Sequence, residues 1–258
     1  MKVDKTVVFT IVIVLVTVAA LLLLPGCGSN EPPATRAERD LQARPVDLLM
    51  PDCSPSFYGN LDVFTGTFEK VVLDSAARGR TLWHGCFDGS PLRTLTWNPK
   101  VDFGELPESV MTSEQLASRF NQARAIGTVK KIEQTIAAAK NQVAGSGQLE
   151  ALEVAAKTPK TGRVFMVTDL ISFEADGVTL ATATEALITD TVKLWLPRLG
   201  DGFRGVQVFI IGYGLDAGSS KAARNAVSLF TRLITKAGGE VSITKDLPAD
   251  LVIEELGS

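Results

Sequence analysis

Residues 46–56 read VDLLMPDCSPS, an apolar run closed by proline and followed at once by one carboxylate and two hydroxyls at alternate positions. Val46 to Met50 has the length and composition of a first β-strand, and Pro51 stops it. In an extended or gently turning segment, residues i, i+2 and i+4 project to one side, so Asp52, Ser54 and Ser56 can aim three oxygens at one point. Such a set suits a hard divalent cation. Ligands of open α/β sheets bind beyond the carboxyl ends of the strands, so a polar cluster there weighs more than the same residues elsewhere.

Outward from this stretch, short β-rich runs alternate with longer segments of helical period. Asn60 to Arg78 predicts a helix, with Leu61, Phe64, Phe68, Val71 and Val72 on one stripe and Gly79 as its stop. Thr81 to Phe87 and Leu92 to Trp97 predict two strands, and the turn-rich link Asp88-Gly89-Ser90-Pro91 between them predicts a hairpin. Ser113 to Ala125 and Val129 to Val143 predict two helices, the second broken by Gly145-Ser146-Gly147. Val164 to Thr168 is almost wholly apolar, as a central parallel strand buried on both faces must be. A helix over Thr184 to Leu196 with Pro197 beyond it, a strand over Val206 to Ile211, a helix over Ser220 to Lys236 and a last strand over Val241 to Thr244 complete the pattern. It predicts an α/β fold, an open and mostly parallel sheet of about six strands with helices on both faces, in one domain over residues 46–258. No repeat of 20 to 50 residues occurs, which excludes a solenoid or propeller.

The first 45 residues belong outside that domain. Lys2 and Lys5 precede an uncharged run of 18 residues, Val7 to Leu24, and then Leu24-Pro25-Gly26-Cys27. The segment resembles a bacterial lipoprotein signal spanning residues 1–27, in which Cys27 is lipidated and becomes the mature N-terminus. The run is also just long enough to cross a bilayer uncleaved. Either way the lysines stay on the cytoplasmic side, and the rest of the chain faces the periplasm or the cell exterior. Residues 28–45 are polar and proline-bearing, with Leu41 the only large apolar residue, which predicts a flexible tether.

Across all 258 residues, 26 Lys and Arg face 29 Asp and Glu, a net charge of −3 that argues against a nucleic-acid partner. Three Cys and a single His exclude a disulfide-stapled miniprotein and a multi-His zinc site. A bound metal must therefore be held by oxygen. Asp169 follows the strand Val164 to Thr168 and in a parallel sheet would emerge at the same edge as Asp52. Thr128 follows Gly127 at an expected helix start. Asp52, Ser54, Ser56, Thr128 and Asp169 together supply five oxygen side chains.

These residues resemble the von Willebrand factor A domains, whose metal-ion-dependent adhesion site has the form Asp-x-Ser-x-Ser, then a Thr, then an Asp after a hydrophobic strand. The similarity runs from Val46 to about Pro248, and it extends to VQVFIIGYG at 206–214 and to the glycine pair Gly238-Gly239 before the last strand. Pro55 and Leu170 stand where the family usually has glycine. The resemblance implies a Rossmann-like fold in which Ser54, Ser56 and Thr128 contact Mg²⁺, with Mn²⁺ or Ca²⁺ as alternatives, while Asp52 and Asp169 act partly through water. Two carboxylates leave such a centre close to neutral with an electrophilic open position, which a carboxylate from a protein partner would complete. The function implied is metal-dependent protein binding on the outer face of a membrane. The alternatives are a metal-free scaffold of the same fold for assembling an envelope complex and, third, a metal-dependent hydrolase.

No enzyme is expected, because no set of acid, base and nucleophile accompanies these oxygens. His84 reads as a packed or surface residue, and Gly212 to Gly218 as loop geometry, because its third glycine falls one place late for a dinucleotide loop. Trp83, Trp97 and Trp195 read as core, and Asn98 to Thr112 as a solvated connector. The family's strand order would bring Cys53 and Cys86 to one sheet edge. A disulfide and two free buried thiols remain equal alternatives there.

Overall fold

The computed structural model describes residues 45–247, apart from positions 55, 56, 58, 60, 112, 140–146, 171–182 and 213–219. Contacts divide the chain into Met1–Gln42 and Ala43–Ser258, and every described residue lies in the second unit. The expected signal, the lipidation site Cys27 and nearly all of the tether therefore lie outside the described residues. Among those residues no helix is long and apolar enough to cross a membrane.

Six strands form one sheet: β1 (Val46–Pro51), β2 (Thr81–His84), β3 (Val101–Asp102), β4 (Thr161–Val167), β5 (Gln207–Ile211) and β6 (Glu240–Thr244). Their spatial order is β3-β2-β1-β4-β5-β6, parallel throughout except for β3, which runs antiparallel to β2. Seven helices lie among the described residues: α1 (Thr65–Ala77), α2 (Pro91–Thr94), α3 (Glu108–Met111), α4 (Glu114–Ala138), α5 (Gln148–Lys157), α6 (Glu185–Leu199) and α7 (Ser220–Lys236). A 3-10 turn, Leu61–Phe64, leads into α1.

Alternation along the strands builds two cores. Leu48, Met50, Val164, Met166, Val208 and Ile210 point to one face, against Leu149 and Leu152 of α5, Trp195 of α6 and Phe230 and Leu233 of α7. Leu49, Leu82, Phe165, Phe209 and Ile211 point to the other, against Phe68 and Val72 of α1 and Ile132 and Ile136 of α4. The expected α/β sheet with helices on both faces is the observed architecture. Trp195 is core; Trp83 and Trp97 pack against it, half-buried, in an edge-to-face pair with centroids 6.0 Å apart.

A charge network closes the end of the sheet opposite the strands' carboxyl termini. Asp47, fully buried, accepts from Arg163 Nε at 3.0 Å, Arg80 Nη1 at 2.9 Å and Ser75 Oγ at 2.7 Å, and Arg163 also pairs with Asp74. Burial disfavours the Arg163 cation, but hydrogen bonds and charge from Asp47 and Asp74 outweigh it and raise its pKa.

Several elements differ from expectation. The hairpin is absent: Leu92 to Trp97 forms no strand, and β2 pairs instead with Val101–Asp102. Pro91 is preorganised for a first helical turn, and Asp88 Oδ1 accepts from Ser90 N at 2.9 Å and Thr94 Oγ1 at 2.6 Å, so the link closes into α2. The two helices expected on either side of Gly127 are one, α4, of 25 residues. Gly127 costs it about 1 kcal/mol relative to alanine, too little to break a helix with a buried stripe. Pro197 lies inside α6 rather than beyond it, and α5 is a further helix, beyond those expected.

Candidate functional site

The chain leaves β1 toward β2 and β3 on one side, then crosses to β4 on the other, so the sheet's topological switch point lies between the carboxyl ends of β1 and β4. That crevice is where open α/β sheets bind ligands. Asp52 follows β1 and Asp169 follows β4, both buried at this rim.

Backbone pairing continues past the strand ends and fixes the rim. Asp52 N donates to Val167 O at 2.9 Å on one side, while Cys53 N donates to Phe87 O at 2.8 Å on the other. The Asp52 carboxylate is then held from two directions. Ser54 N donates to Oδ1 at 3.0 Å, the tight turn that aspartate favours, and the Thr168 hydroxyl donates to Oδ2 at 2.8 Å across the switch point. Ser54 is fully buried beside it; Ser56 lies outside the described residues. Leu170, just after Asp169, adopts φ +61° with its side chain buried in the core under α5 to α7. It is thus a leucine in the left-handed region that glycine would occupy without strain, a conformation costing about 1–3 kcal/mol for other residues.

Thr128 is placed otherwise than expected. It lies in the middle of α4, not at a helix start, and its buried hydroxyl donates to Arg124 O at 2.8 Å, one helical turn back. The physical reason is the continuity of α4 through Gly127, which leaves Thr128 no cap to form. Its hydroxyl proton is used within its own helix.

Gln148, the first residue of α5, takes a place at the rim that sequence reasoning missed. It is fully buried, and its Nε2 donates to Thr168 Oγ1 at 2.9 Å, so Gln148, Thr168 and Asp52 form one chain of hydrogen bonds. Gln148 Oε1 has no hydrogen-bond partner among the described residues. A buried carbonyl left so costs about 1–3 kcal/mol and calls for an explanation. Its position is set by Gly147, whose N donates to Asp88 O at 2.7 Å and where a Cβ would lie 2.3 Å from Pro91 Cδ. The signal available in the sequence was the break Gly145-Ser146-Gly147 followed by Leu149, Leu152 and Ala155, a helical apolar spacing that starts a third loop toward the rim.

Cys53 and Cys86 form a disulfide, with Cα atoms 5.6 Å apart, and so resolve the open alternative in favour of the bridge. Because Cys53 sits between Asp52 and Ser54, the bridge ties the oxygen-bearing loop to the end of β2. His84 lies lower on β2, buried, with its pKa lowered to about 4 by burial and by the nearby Lys131 charge. It is a neutral packed imidazole. The expected loop Gly212 to Gly218 lies outside the described residues beyond Gly212, whose φ of +103° brings it against Thr168 O, 3.1 Å from where a Cβ would stand.

No protein-family model matches the chain, and no curated protein matches it in sequence. Among solved structures, the pilus adhesin SpaC of Lactobacillus rhamnosus GG in its open conformation aligns with 81% of the chain at 11% identity and a TM-score of 0.39. The chain spans 28% of that adhesin's length. An aerotolerance-related membrane protein of Bacteroides fragilis NCTC 9343, carrying multiple mutations to serine, aligns with 80% of the chain and 93% of its own length at 14% identity and a TM-score of 0.39.

Proposed function

We propose that this chain is a binding module of the von Willebrand factor A type, tethered to the outer face of a membrane, that engages a protein partner through a divalent cation. The observation that carries the proposal is the placement of Asp52 and Asp169 on neighbouring strand ends at the switch point, with Thr168 hydrogen-bonded to Asp52. The donor set fits a hard cation. It is made of oxygen, its sulfurs are consumed in the disulfide, and Gln148 Oε1 is an unpartnered carbonyl at the same rim. Among the described residues no three His, Cys, Asp or Glu cluster as a metal group, and the charge would come from the carboxylates of Asp52 and Asp169. That suits Mg²⁺, which keeps several waters and is commonly bound through one or two carboxylates. Asp52, Ser54, Ser56 and Asp169 would hold it, and the cation would supply an electrophilic open position for a carboxylate of the partner. The N-terminal end of α5 at the rim also favours incoming negative charge. The membrane tether would come from Val7 to Leu24, with or without lipid on Cys27.

Titrating Mg²⁺ or Mn²⁺ into the full chain in detergent, beside Asp52→Ala and the isosteric Asp169→Asn, tests the cation. Binding heat in the parent that both substitutions abolish supports the site; flat traces in all three reject it. A pull-down with the tethered protein, with and without chelator, then tests the partner. A metal-free scaffold of the same fold is the second reading, favoured by the two hydrogen bonds that Asp52 already accepts within the chain. Flat titrations with chelator-independent capture would select it.

A further inference from the structure

We infer that Gln148, not Thr128, supplies the third-loop oxygen of this cation site, through Oε1; the inference rests on the cation reading above and adds a ligand to it. The amide is oriented by its nitrogen. Thr168 Oγ1 donates its single proton to Asp52 Oδ2, so toward Gln148 it can only accept, and Nε2 must face it. An amide oxygen lies about 2.2 Å from its nitrogen, which puts Oε1 within about 5 Å of the Thr168 hydroxyl that holds Asp52. Oε1 is thereby left at the rim, fully buried and unpartnered among the described residues. A neutral carboxamide oxygen is a hard donor of the kind that Mg²⁺, Mn²⁺ and Ca²⁺ accept. It adds a ligand without adding charge, as a threonine hydroxyl would, and so leaves the open position electrophilic.

The helix starts make the same assignment. Three segments reach the rim from separate strands or helices: the Asp52 loop after β1, Asp169 after β4, and the start of α5. Gly147 packs on Asp88 and Pro91, which anchors that start to the loop after β2. Thr128 lies in the middle of α4, and among the described residues its hydroxyl bonds to Arg124 O and to none of these three segments.

The test is Mn²⁺ affinity of the full chain in detergent for the parent, Gln148→Leu and Thr128→Val, with folding followed by circular dichroism in EDTA. The expected result is a loss of at least tenfold in Gln148→Leu and a change below twofold in Thr128→Val. A second measurement needs no stable variant beyond one for assignment. The Gln148 side-chain amide signals, identified by their loss in Gln148→Glu, should shift on adding Mg²⁺ and broaden away on adding Mn²⁺. Parent binding with Gln148→Leu unchanged, or with the amide signals unmoved, overturns the role of Gln148 and leaves the cation site standing. A parent that binds neither ion overturns both.

Discussion

Removing the Cys53–Cys86 bridge should cost this protein a large share of its stability, and the size can be worked from the chain. The two cysteines are separated by 33 positions. In the chain-entropy account, closing a loop of that length removes about 12.5 cal/mol/K from the unfolded state, or about 3.7 kcal/mol at 25 °C. Native structure should survive without the bridge, because Cys53 N to Phe87 O, Phe87 N to Pro51 O and Gly85 N to Leu49 O hold β1 beside β2 independently. The loss therefore falls on the unfolded ensemble. For a domain of roughly 200 residues, about 1 kcal/mol moves Tm by 2–4 °C, so Cys53→Ala/Cys86→Ala should melt about 7–15 °C below the parent. The assay is calorimetry of the full chain in detergent, beside parent protein reduced with a dithiol. Thiol titration of the denatured, unreduced parent should leave Cys53 and Cys86 silent. A Tm change under about 3 °C, or two extra reactive thiols, would refute the reasoning. If the bridge also braces the oxygen-bearing loop, reduction should weaken Mn²⁺ binding without abolishing the fold.

His84 titrates near 4 when folded against 6.5 when unfolded, so the unfolded chain binds the extra proton between those values and stability falls as pH drops from 6.5 to 4. About 3 kcal/mol is at stake, and His84→Gln should remove that part of the slope in melts at pH 7, 5.5 and 4.5; an unchanged slope would count against it. Arg163→Met leaves Asp47 and Asp74 buried without their shared cation and should destabilise by about 3–5 kcal/mol in urea unfolding, whereas a loss under 1 kcal/mol would show the pair to be dispensable. Gly147→Ala drives a Cβ into Pro91 and should weaken cation binding more than it lowers Tm, by displacing the start of α5. Thr128→Val should change stability by only about 1 kcal/mol, the worth of one hydrogen bond back to its own helix.

The sheet was legible because β1, β4 and β5 are short, mostly apolar runs and β6 alternates Val241 and Ile243 with polar residues, local signals that survive without tertiary information. The expected hairpin does not form because Asp88-Gly89-Ser90-Pro91 encodes a turn but not the element into which the turn leads. Pro91 at a helix start and two bonds into Asp88 decided for α2, and those depend on geometry beyond the dipeptide. The helix runs through Gly127 for a related reason. A glycine weakens a helix locally, while Ala125, Ile132 and Ile136 bury one continuous stripe against the α1 side of the sheet, and burial of that length exceeds the glycine penalty.

The same asymmetry separates the parts of the site. A residue that follows a parallel strand has its position fixed by the sheet, so Asp52 and Asp169 could be placed from order alone, and β1 and β4 being neighbours brings them together. A residue on a helix start is fixed by where that helix lands. Gln148 reaches the rim only because Gly147 lets α5 begin in contact with Asp88 and Pro91, a contact between residues about sixty positions apart. Leu170 shows the cost of the arrangement from the other side. Its left-handed backbone is strained, yet its side chain fills the core beside α5, and replacing a buried leucine by a smaller residue costs about 2–5 kcal/mol, more than the strain. The backbone turn that carries Asp169 to the rim is therefore held by packing beneath it rather than by glycine's freedom.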